Sequence, residues 1–298
     1  MSSFRATVSS VTRRYAEICD ESNSFTLAKI ATRSLDICIG DEVECEKQKE
    51  ETMVIGVIPR RNILNRSYQG KTKDIVANVD RLYIVTAVGP LLNPVYIDRI
   101  LAVAHLRNIS STIILNKIDK VDELPEAEAK LACYRQLNIP IHKISIKKEL
   151  GVAELGSEFA SGEHKLIALC GVSGVGKSSL INKLLPNASA RIDSVSSRTG
   201  QGKQTTTQAI AYNYPENAPQ IMLVDTPGLQ SFGVSHLSLE EARDSFVEFG
   251  NLCKFKDCKH ISEPDCAVRN KLERGEIAQS RYESYLGILE EIKSVKRY

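Results

Sequence analysis

The sequence predicts an α/β protein with three parts: a small N-terminal β-barrel, a central, mostly parallel β-sheet covered by helices on both faces, and a C-terminal helical module. Short β-like runs separated by turn residues fill residues 4–59, apolar strands alternate with helical patterns from residue 75 onward, and three Cys and one His cluster near the C-terminus. Repeated strand–helix units favour a parallel sheet with both faces covered. We expect the chain to divide into residues 1–70, 71–232 and 233–298.

The composition is that of an ordinary globular protein. Of the 298 residues, 42% are hydrophobic and 26% are charged, and the formal net charge is +2. The positive excess is not concentrated in any segment, so composition alone does not indicate nucleic-acid binding. Because we find neither a signal-like apolar run near the N-terminus nor an apolar stretch of about 18 residues, we expect a cytoplasmic protein that does not contact membranes.

The N-terminal region is predicted to contain five short strands: Arg5–Ser9, Tyr15–Cys19, Phe25–Ile30, Val43–Cys45 and Met53–Val57. Turn-forming residues separate these runs, and no amphipathic helix lies between them. Five short strands in such a short segment predict a small barrel, for which an OB-fold is the leading candidate. Such barrels often bind single-stranded nucleic acid or structured RNA, and a barrel that only packs on its neighbour is the alternative.

The central region alternates strands with helices. The predicted strands are Leu82–Val88, Ser111–Leu115, Ile139–Ile144, Leu166–Cys170 and Ile221–Val224, and the predicted helices are Val95–Leu106 and Ala127–Leu137. Ligands of parallel sheets bind at the carboxyl ends of the strands. Asn116, Ser145, Gly171 and Asp225 all fall at such ends, which predicts a ligand site at that edge of the sheet.

The C-terminal region is predicted to be helical. The run Ser238-Leu239-Glu240-Glu241 fits a capping box and predicts a helix that ends near Phe249. Helical patterns also cover Ala267–Arg274 and Ile277–Val295, on the far side of the Cys/His cluster.

A phosphate-binding loop follows the strand Leu166–Cys170. The pattern G-x-x-x-x-G-K-[S/T] is matched by Gly171-Val172-Ser173-Gly174-Val175-Gly176-Lys177-Ser178, and Ser179 comes next. The glycines of this pattern let backbone N–H groups point at phosphate oxygens, at the N-terminus of the following helix. We expect Lys177 to supply charge to the β- and γ-phosphates and the Ser178 hydroxyl to ligate Mg²⁺.

Two further elements are expected beside the phosphates. Asp225 follows a strand, as a carboxylate on the Mg²⁺ side should, and the N–H of Gly228 can approach the γ-phosphate. An ordinary turn is the alternative, because Asp, Pro and Gly are also common turn residues.

The polar stretch 186–204 predicts a mobile switch loop. We expect Thr206, in the Thr run that follows, to complete Mg²⁺ coordination, and a Thr run favoured by β-propensity is the alternative.

The run Asn116-Lys117-Ile118-Asp119 predicts a loop that reads guanine. A guanine edge offers two neighbouring N–H donors that the Asp119 carboxylate can accept together, whereas adenine would leave the charge unpaired. Asn116 can bridge the base and a neighbouring loop, and the stem of Lys117 can lie across the ring. Ser145 is a candidate for a further base contact, and a simple loop serine is the alternative.

The order of these motifs is inverted. In an ordinary GTPase the P-loop opens the domain and N-K-x-D follows much later. Here Asn116–Asp119 precedes Gly171–Ser178, and Asp225–Gly228 comes last. A fold whose ends lie close together tolerates such a permutation. The sequence therefore predicts a circularly permuted GTPase domain.

Four candidate metal ligands lie close together in the spacing Cys253-x4-Cys258-x-His260-x5-Cys266. Three thiolates and an imidazole suit a closed tetrahedral zinc site, which leaves no open position for catalysis. We therefore expect one structural Zn²⁺, and coincidental Cys residues are the alternative. The other five of the eight Cys are scattered, and in a reducing compartment we expect them to be free thiols.

On these residues the chain resembles the circularly permuted, ribosome-small-subunit-dependent GTPases of the RsgA type. The resemblance spans nearly the whole length and also includes Ala77-Asn78-Val79-Asp80, Thr205–Thr207 and Arg281-Tyr282-x-x-Tyr285. It implies a late assembly factor, expected to be monomeric, that binds GTP or GDP and the immature small ribosomal subunit with its rRNA. Such a factor checks the decoding region and leaves on GTP hydrolysis.

Two positions depart from the family pattern. Gln204 stands where the family usually carries a His, a proposed catalytic residue, and Leu229 stands where Ras-like enzymes place a water-orienting Gln. Catalysis is therefore expected from Gln204, together with Lys177, or from the partner. The alternative function is an RNA-binding scaffold with a GTP-sensing switch and negligible turnover. A weaker alternative is an ATP-using P-loop enzyme, against which Asp119 argues.

Overall fold

The barrel, the central sheet and the C-terminal helices are all present in the computed structural model. The described residues are 3–48, 51–185, 188, 209–214, 221–226, 231–250 and 252–295. Among these residues, no helix combines the length and the apolar character that crossing a membrane requires.

Five strands form the N-terminal barrel: β1 (Ser3–Val11), β2 (Tyr15–Asp20), β3 (Phe25–Ile30), β4 (Glu42–Gln48) and β5 (Glu51–Val57). The barrel closes in the order β1-β2-β3-β5-β4, with β3 parallel to β5 and the other pairs antiparallel. Because alternate residues of a strand point inward, Val8, Ile18, Val43 and Val54 form a buried core. The prediction of five strands in an OB-like barrel is confirmed.

A β-hairpin that the sequence pattern does not predict follows the barrel. It consists of β6 (Ile63–Tyr68) and β7 (Lys71–Ala77). Gln69 and Gly70 both have positive φ, 50° and 72°, as a two-residue type I′ turn requires. Polar residues fill both strands near the turn, so the alternation that reveals a half-buried strand is missing. The domain boundary expected after residue 70 falls in this turn.

The central sheet contains β8 (Arg81–Ala87), β9 (Ser110–Asn116), β10 (Ile141–Lys143), β11 (Leu166–Cys170), β12 (Ile210–Tyr214) and β13 (Ile221–Asp225). Their order is β10-β9-β8-β11-β13-β12. All neighbouring strands pair in parallel except the edge strand β12, which is antiparallel to β13. The prediction of a largely parallel sheet is confirmed.

Helices cover both faces of this sheet, as predicted. The described helices are α1 (Pro94–Leu106), α2 (Leu124–Gln136), α3 (Val152–Ala160), α4 (Lys177–Leu184), α5 (Leu239–Asp244), α6 (Ala267–Glu273) and α7 (Gln279–Val295). Side chains of α1 and α2 share a core with Leu82 and Ile84 of β8, and those of α3 and α4 share the opposite core with Tyr83 and Val85. Helix α3 was not predicted.

The prediction of a helix from Ser238 to about Phe249 was wrong at its C-terminal end. The capping box at Ser238 is present, but α5 ends at Asp244. The chain then turns, and the rings of Phe246 and Phe249 stack with their centroids 5.1 Å apart. Both rings also meet Tyr285 of α7 edge-on. Tertiary packing of these aromatic rings therefore ends the helix earlier than the local pattern indicates.

A buried ion-pair cluster joins α7 to the helices of the central sheet. Arg281 is 4% exposed, and its guanidinium donates to Asp98 Oδ1 on α1 and to Glu248 Oε1, each at 2.7 Å. The Tyr134 hydroxyl of α2 also donates to Asp98 at 2.7 Å. Although burial opposes the charge, the two carboxylates raise the pKa of Arg281 above its usual value. The cluster therefore anchors the C-terminal module through a charged guanidinium.

Arg281→Ala should lower the free energy of unfolding by about 3–5 kcal/mol, because it leaves Asp98 and Glu248 buried without a counter-charge. Urea denaturation followed by circular dichroism measures this loss. Arg274→Ala is the control, because Arg274 pairs with Glu276 where both side chains are at least half exposed and solvent screens the pair. Equal unfolding free energies for the two variants would contradict the anchoring role.

Candidate nucleotide site and metal centre

Loops from four strands of the central sheet meet at one edge. β9 ends at Asn116, β13 ends at Asp225, Gly171 follows β11, and Ser145 follows β10. Because these strands run parallel, their carboxyl ends lie along the same edge of the sheet. The structure therefore brings together the residues that the sequence places at strand ends.

The loop Gly171–Ser178 joins β11 to α4 and has no room for side chains at two positions. A Cβ on Gly171 would lie 2.3 Å from Val85 O, and a Cβ on Gly176 would lie 2.4 Å from Asn116 Nδ2. Gly176 also has a φ of 105°, in the region that favours glycine. The remaining residues predicted to bind nucleotide belong to the same loop or to the first turn of α4: Val172, Ser173, Gly174, Val175 and Ser179.

The Lys177 ammonium lies inside this loop. Lys177 is 6% exposed, and its Nζ donates to Gly171 O at 2.6 Å and to Val172 O at 3.4 Å. Burial lowers the pKa of Lys177 from its usual value, and the nearby Asp225 carboxylate opposes this shift. A buried cation is costly unless it is paired, so this position favours binding of an anion in the loop.

Ser178 and Asp225 face each other across the start of α4 and the end of β13. Ser178 Oγ lies 3.5 Å from Asp225 Oδ2, and Asp225 Oδ1 is buried without a hydrogen-bond partner among the described residues. Burial raises the pKa of Asp225 to about 6, although Lys177 and Ser178 act to lower it. A hydroxyl and an incompletely paired carboxylate are oxygen ligands of the kind that Mg²⁺ prefers. These residues therefore fit the expected Mg²⁺.

The Asn116 amide connects three loops. Its Nδ2 donates to Val175 O at 2.8 Å, and its Oδ1 accepts from Lys117 N at 2.7 Å and from Ile146 N at 3.3 Å. Asn116 is 3% exposed, so these bonds satisfy a buried amide. Sequence reasoning did not single out Ile146, and its position next to Ser145 is the only signal that could have found it.

The Asp119 carboxylate is held by Ser145, whose hydroxyl donates to Asp119 Oδ1. Ser145 Oγ in turn accepts from Lys148 N at 3.1 Å. The hydrogen bond from Ser145 lowers the pKa of Asp119, which favours the charged carboxylate. Lys117 Nζ donates to Gly174 O at 2.9 Å, so the loop that carries Asp119 contacts the P-loop a second time.

Two backbone-anchoring contacts hold these motifs against the sheet. Ile118 N donates to Ile144 O at 3.2 Å, and the buried Thr226 hydroxyl donates to Leu169 O at 2.8 Å. Sequence reasoning gave Thr226 no role, although it lies in the Asp-Thr-Pro-Gly run. Tertiary structure decides which group accepts the hydrogen bond of a buried hydroxyl, so the Asp-Thr-Pro-Gly motif alone does not reveal the partner of Thr226.

Three predicted site residues, Gln204, Thr206 and Gly228, lie outside the described part of the chain. The expected switch loop 186–204, except residue 188, lies outside it as well. The roles assigned to these residues stay predictions.

The candidate metal ligands converge in the C-terminal module: Cys253, Cys258, His260 and Cys266 place one ligand atom each within 4.8 Å of all the others. Cys266 Sγ lies 3.7 Å from Cys258 Sγ and 3.9 Å from Cys253 Sγ, and His260 Nδ1 lies 3.4 Å from Cys253 Sγ and from Cys266 Sγ. A tetrahedral Zn²⁺ with Zn–S bonds of about 2.3 Å separates its sulfurs by about 3.8 Å. The cluster is therefore compatible with one Zn²⁺.

Aromatic residues of α7 and of the turn after α5 contact residues 253–266, which we call the metal loop. The Tyr282 hydroxyl donates to His260 O at 2.6 Å, and the Tyr285 hydroxyl donates to Lys259 O at 2.8 Å. The Phe249 ring meets the His260 imidazole edge-on with centroids 5.5 Å apart. The two tyrosines of the Arg-Tyr-x-x-Tyr run thus fix the backbone at Lys259 and at His260, a candidate metal ligand.

The loop Gly171–Ser178, which has the P-loop pattern, lies beside Asn116–Asp119 but follows it in the chain, and this inverted order on a parallel sheet is that of a circularly permuted GTPase. The model of the RsgA GTPase family matches residues 57–235, which is more than half of the chain. The chain belongs to the RsgA GTPase family.

Curated relatives are similar over most of the chain. The small ribosomal subunit biogenesis GTPase RsgA of Haemophilus influenzae is 36% identical over 293 residues, which cover 95% of this chain and 83% of that protein. The protein of the same name from Dickeya dadantii is 40% identical over 252 residues, 82% of this chain and 70% of its own length. That from Bordetella pertussis is 38% identical over 264 residues, 87% of each chain.

Solved structures share the fold. YjeQ from Thermotoga maritima matches with a TM-score of 0.77 and 31% identity, over 98% of this chain and 99% of that one. YloQ, described as a circularly permuted GTPase, matches in fold with a TM-score of 0.72 and 24% identity, over 98% of this chain and 96% of its own.

Gly176→Ala should weaken GDP binding by at least about tenfold, because the new Cβ displaces the buried Asn116 amide from its partners. Isothermal titration calorimetry measures the affinity, and thermal unfolding checks that the variant is folded. Gly162→Ala is the control, since Gly162 also has a positive φ, 78°, but no described atom beyond its chain neighbours lies within 4 Å of an added Cβ. Full GDP affinity in both variants would show that the loop does not depend on this packing.

Cys258→Ala should reduce the zinc content of the purified protein and unfold the C-terminal module, because one of four ligands is lost. Nucleotide affinity should change little, since the described contacts of the nucleotide site do not involve the cluster. Metal analysis and GDP titration measure the two effects. Cys133→Ala, which removes a thiol from α2, should leave the zinc content unchanged. Undiminished zinc in the Cys258 variant would refute the ligand assignment.

Proposed function

We propose that the protein is a cytoplasmic, GTP-hydrolysing assembly factor that binds the small ribosomal subunit late in maturation and is released on hydrolysis. The observation that carries this proposal is the buried Asn116 amide, which ties the guanine-reading loop to the P-loop through Val175 O at 2.8 Å. Membership in the RsgA GTPase family and the names of the relatives, small ribosomal subunit biogenesis GTPases, support the choice of partner.

Guanine selectivity is assigned to Asp119. The hydrogen bond from Ser145 favours a charged carboxylate at this position. A charged carboxylate can accept the two neighbouring N–H donors of guanine, and an adenine in its place would leave that charge unpaired. Asn116 and Lys117 support the same loop through their bonds to the P-loop.

Phosphate binding is assigned to the backbone N–H groups of Gly171–Ser178, the N-terminus of α4 and the Lys177 ammonium. The N–H of Gly228 is assigned to the γ-phosphate. Gln204 is assigned to orienting the attacking water, since Leu229 has no group that can do so. The burial of Lys177 supports its part in this arrangement.

Mg²⁺ neutralises the charge of the β- and γ-phosphates in such sites. Ser178 and Asp225 are the residues that would hold it, with Thr206 completing the set when GTP is bound. Asp225 Oδ1, which is buried and has no hydrogen-bond partner among the described residues, supports this assignment.

The zinc ion is proposed to be structural, because three thiolates and one imidazole complete a tetrahedral shell and leave no open position.

We further propose that the protein acts as a monomer. The proposed division is a barrel, a permuted GTPase domain and a zinc-binding helical domain, with boundaries near residues 70 and 232.

An RNA-binding scaffold with negligible turnover is the less favoured function, because the chain belongs to a GTPase family. An ATP-using enzyme is disfavoured by the charged carboxylate of Asp119.

Asp119→Asn should weaken GTP binding by at least about tenfold and relax the preference for GTP over ATP, because the paired acceptor for guanine is lost. Competition titrations with a fluorescent GDP analogue measure both effects. Asp122→Asn, an exposed position in the turn that follows, should bind like the unmutated protein. Equal competition by GTP and ATP in the unmutated protein would refute the assignment of the base site.

Small ribosomal subunits should raise GTP turnover, because completing a GTPase site with a partner can increase the rate by about 10³–10⁵. Turnover is measured with and without small and large subunits, and co-sedimentation is measured with GTP, GDP and a non-hydrolysable analogue. Gln204→Ala should lower the stimulated turnover far more than GTP affinity or subunit binding. Turnover that stays negligible with small subunits would favour the scaffold, and equal stimulation of the Gln204 variant would assign catalysis elsewhere.

A further inference from the structure

The β6–β7 hairpin pairs with the segment that leaves the nucleotide site. We call this segment, Ser231–Leu237, the exit segment. Ser67 N of the hairpin donates to Gly233 O at 2.8 Å, and the two residues form an antiparallel bridge. A Cβ on Gly233 would lie 2.5 Å from Ser67 O, so the two backbones approach closely. The hairpin therefore holds the exit segment by its main chain.

His236 adds a side-chain connection at the same place. His236 N donates to Ser67 Oγ at 2.8 Å, His236 Nδ1 lies 2.8 Å from Ser67 Oγ, and His236 Nε2 lies 3.1 Å from Asn65 Oδ1. Because Ser67 Oγ accepts the His236 N–H, its own proton can be donated to Nδ1, and Nε2–H can then be donated to Asn65. All of these polar groups are thus satisfied by a neutral imidazole. We call Ser67 and His236 the latch.

The other side of the exit segment is fixed by α1 and α7. Glu291 Oε1 of α7 accepts from Val234 N at 2.7 Å and from Ser235 N at 3.1 Å, and Arg99 of α1 donates to Phe232 O at 3.3 Å. The Phe232 and Val234 side chains are buried. The exit segment therefore lies between the hairpin on one side and two helices on the other.

The chain between the nucleotide site and the exit segment is short. Thr226, next to Asp225, is anchored to Leu169 O, and only residues 227–230 separate it from Ser231. The five Cα–Cα steps from Thr226 to Ser231 span at most roughly 18 Å when fully extended. The position of the exit segment is therefore constrained by the anchored Thr226, which adjoins Asp225 of the nucleotide site.

The hairpin extends from this contact to an exposed tip. Tyr68 is 50% exposed, and the Arg66 guanidinium lies 5.1 Å from the centre of its ring. Arg66 also donates to Ser231 O of the exit segment at 2.9 Å. Lys71 and Lys73 are exposed on the neighbouring strand. An aromatic ring among cations favours binding of a polyanionic partner. Because the same hairpin carries Ser67, a partner bound at the tip would act on the latch.

We propose that the latch of Ser67 and His236 positions the exit segment for GTP hydrolysis and couples the partner's contact with the hairpin to the nucleotide site. The residues act through the exit segment and touch neither nucleotide nor metal, so they are positioning residues. The dependence of stimulated turnover on the latch rests on the proposed function, whereas the coupling between nucleotide and hairpin rests only on nucleotide binding.

Hydrogen exchange tests this coupling without the ribosomal subunit. Exchange of the Ser67 amide should differ between the complex with GDP and the complex with a non-hydrolysable GTP analogue. The difference should disappear in His236→Ala and return in His236→Asn, whose side-chain oxygen can accept from Ser67 where Nδ1 does. His105→Ala, an exposed position at the end of α1, should behave like the unmutated protein. The proposal would be overturned if the exchange of the Ser67 amide in the unmutated protein were the same in both complexes, or if His236→Ala kept the difference between them.

GTP turnover stimulated by small ribosomal subunits tests whether the latch contributes to the reaction. Ser67→Ala and His236→Ala should each lower the stimulated turnover by about 5–150-fold, the range of ordinary coupling between sites, and the double variant should lose no more than either single one. GTP affinity and subunit binding should stay within about twofold. A merely structural contact would instead lower the melting temperature and leave the stimulated turnover of the folded protein unchanged, which would overturn the latch. Absence of stimulation in the unmutated protein would refute the proposed function and leave the exchange result to decide on the latch.

Discussion

The nucleotide site depends on one buried side chain, the amide of Asn116. Its three hydrogen bonds connect the loop Asn116–Asp119, the loop after β10 and the P-loop, and its partner Val175 lies 59 residues further along the chain. Gly176 makes room for this amide because it has no side chain. Without these bonds the loop Asn116–Asp119 would keep its exposed contact with the P-loop, from Lys117 Nζ to Gly174 O, but it would lose the buried one, and Asp119 would be held less firmly relative to Lys177.

The permuted order gives the chain a different route away from the nucleotide site. After Thr226 the chain enters the exit segment and continues into the C-terminal module, where α7 makes three kinds of contact. Arg281 pairs with Asp98 of α1, Glu291 accepts two N–H groups of the exit segment, and Tyr282 with Tyr285 supports the metal loop. The nucleotide site, the central sheet and the metal loop are therefore linked through one helix, which accounts for the Arg-Tyr-x-x-Tyr run.

Much of this could be predicted from the sequence, because the motifs are local. The spacing of Gly171–Ser178, the alternation of the barrel strands and the interval from Cys253 to Cys266 depend on neighbouring residues alone. The hairpin Ile63–Ala77 could not be found, since its polar strands carry little alternation and its partner, the exit segment, is distant in sequence. The early end of α5 was missed because the packing of Phe246 against α7 decides it. Tertiary contacts of this kind leave no local signal.

The most direct test of the central claim is the affinity of Asn116→Ala for GDP, measured by titration calorimetry in the full-length protein. The buried N–H and C=O groups that Asn116 serves would lose their partner, at about 1–3 kcal/mol for each group left unpaired. We expect affinity to fall by about tenfold or more, with the melting temperature of the barrel unchanged. Asn270→Ala, an exposed position on α6, is the matched control. GDP affinity equal to that of the control would contradict the claim that the Asn116 amide assembles the site.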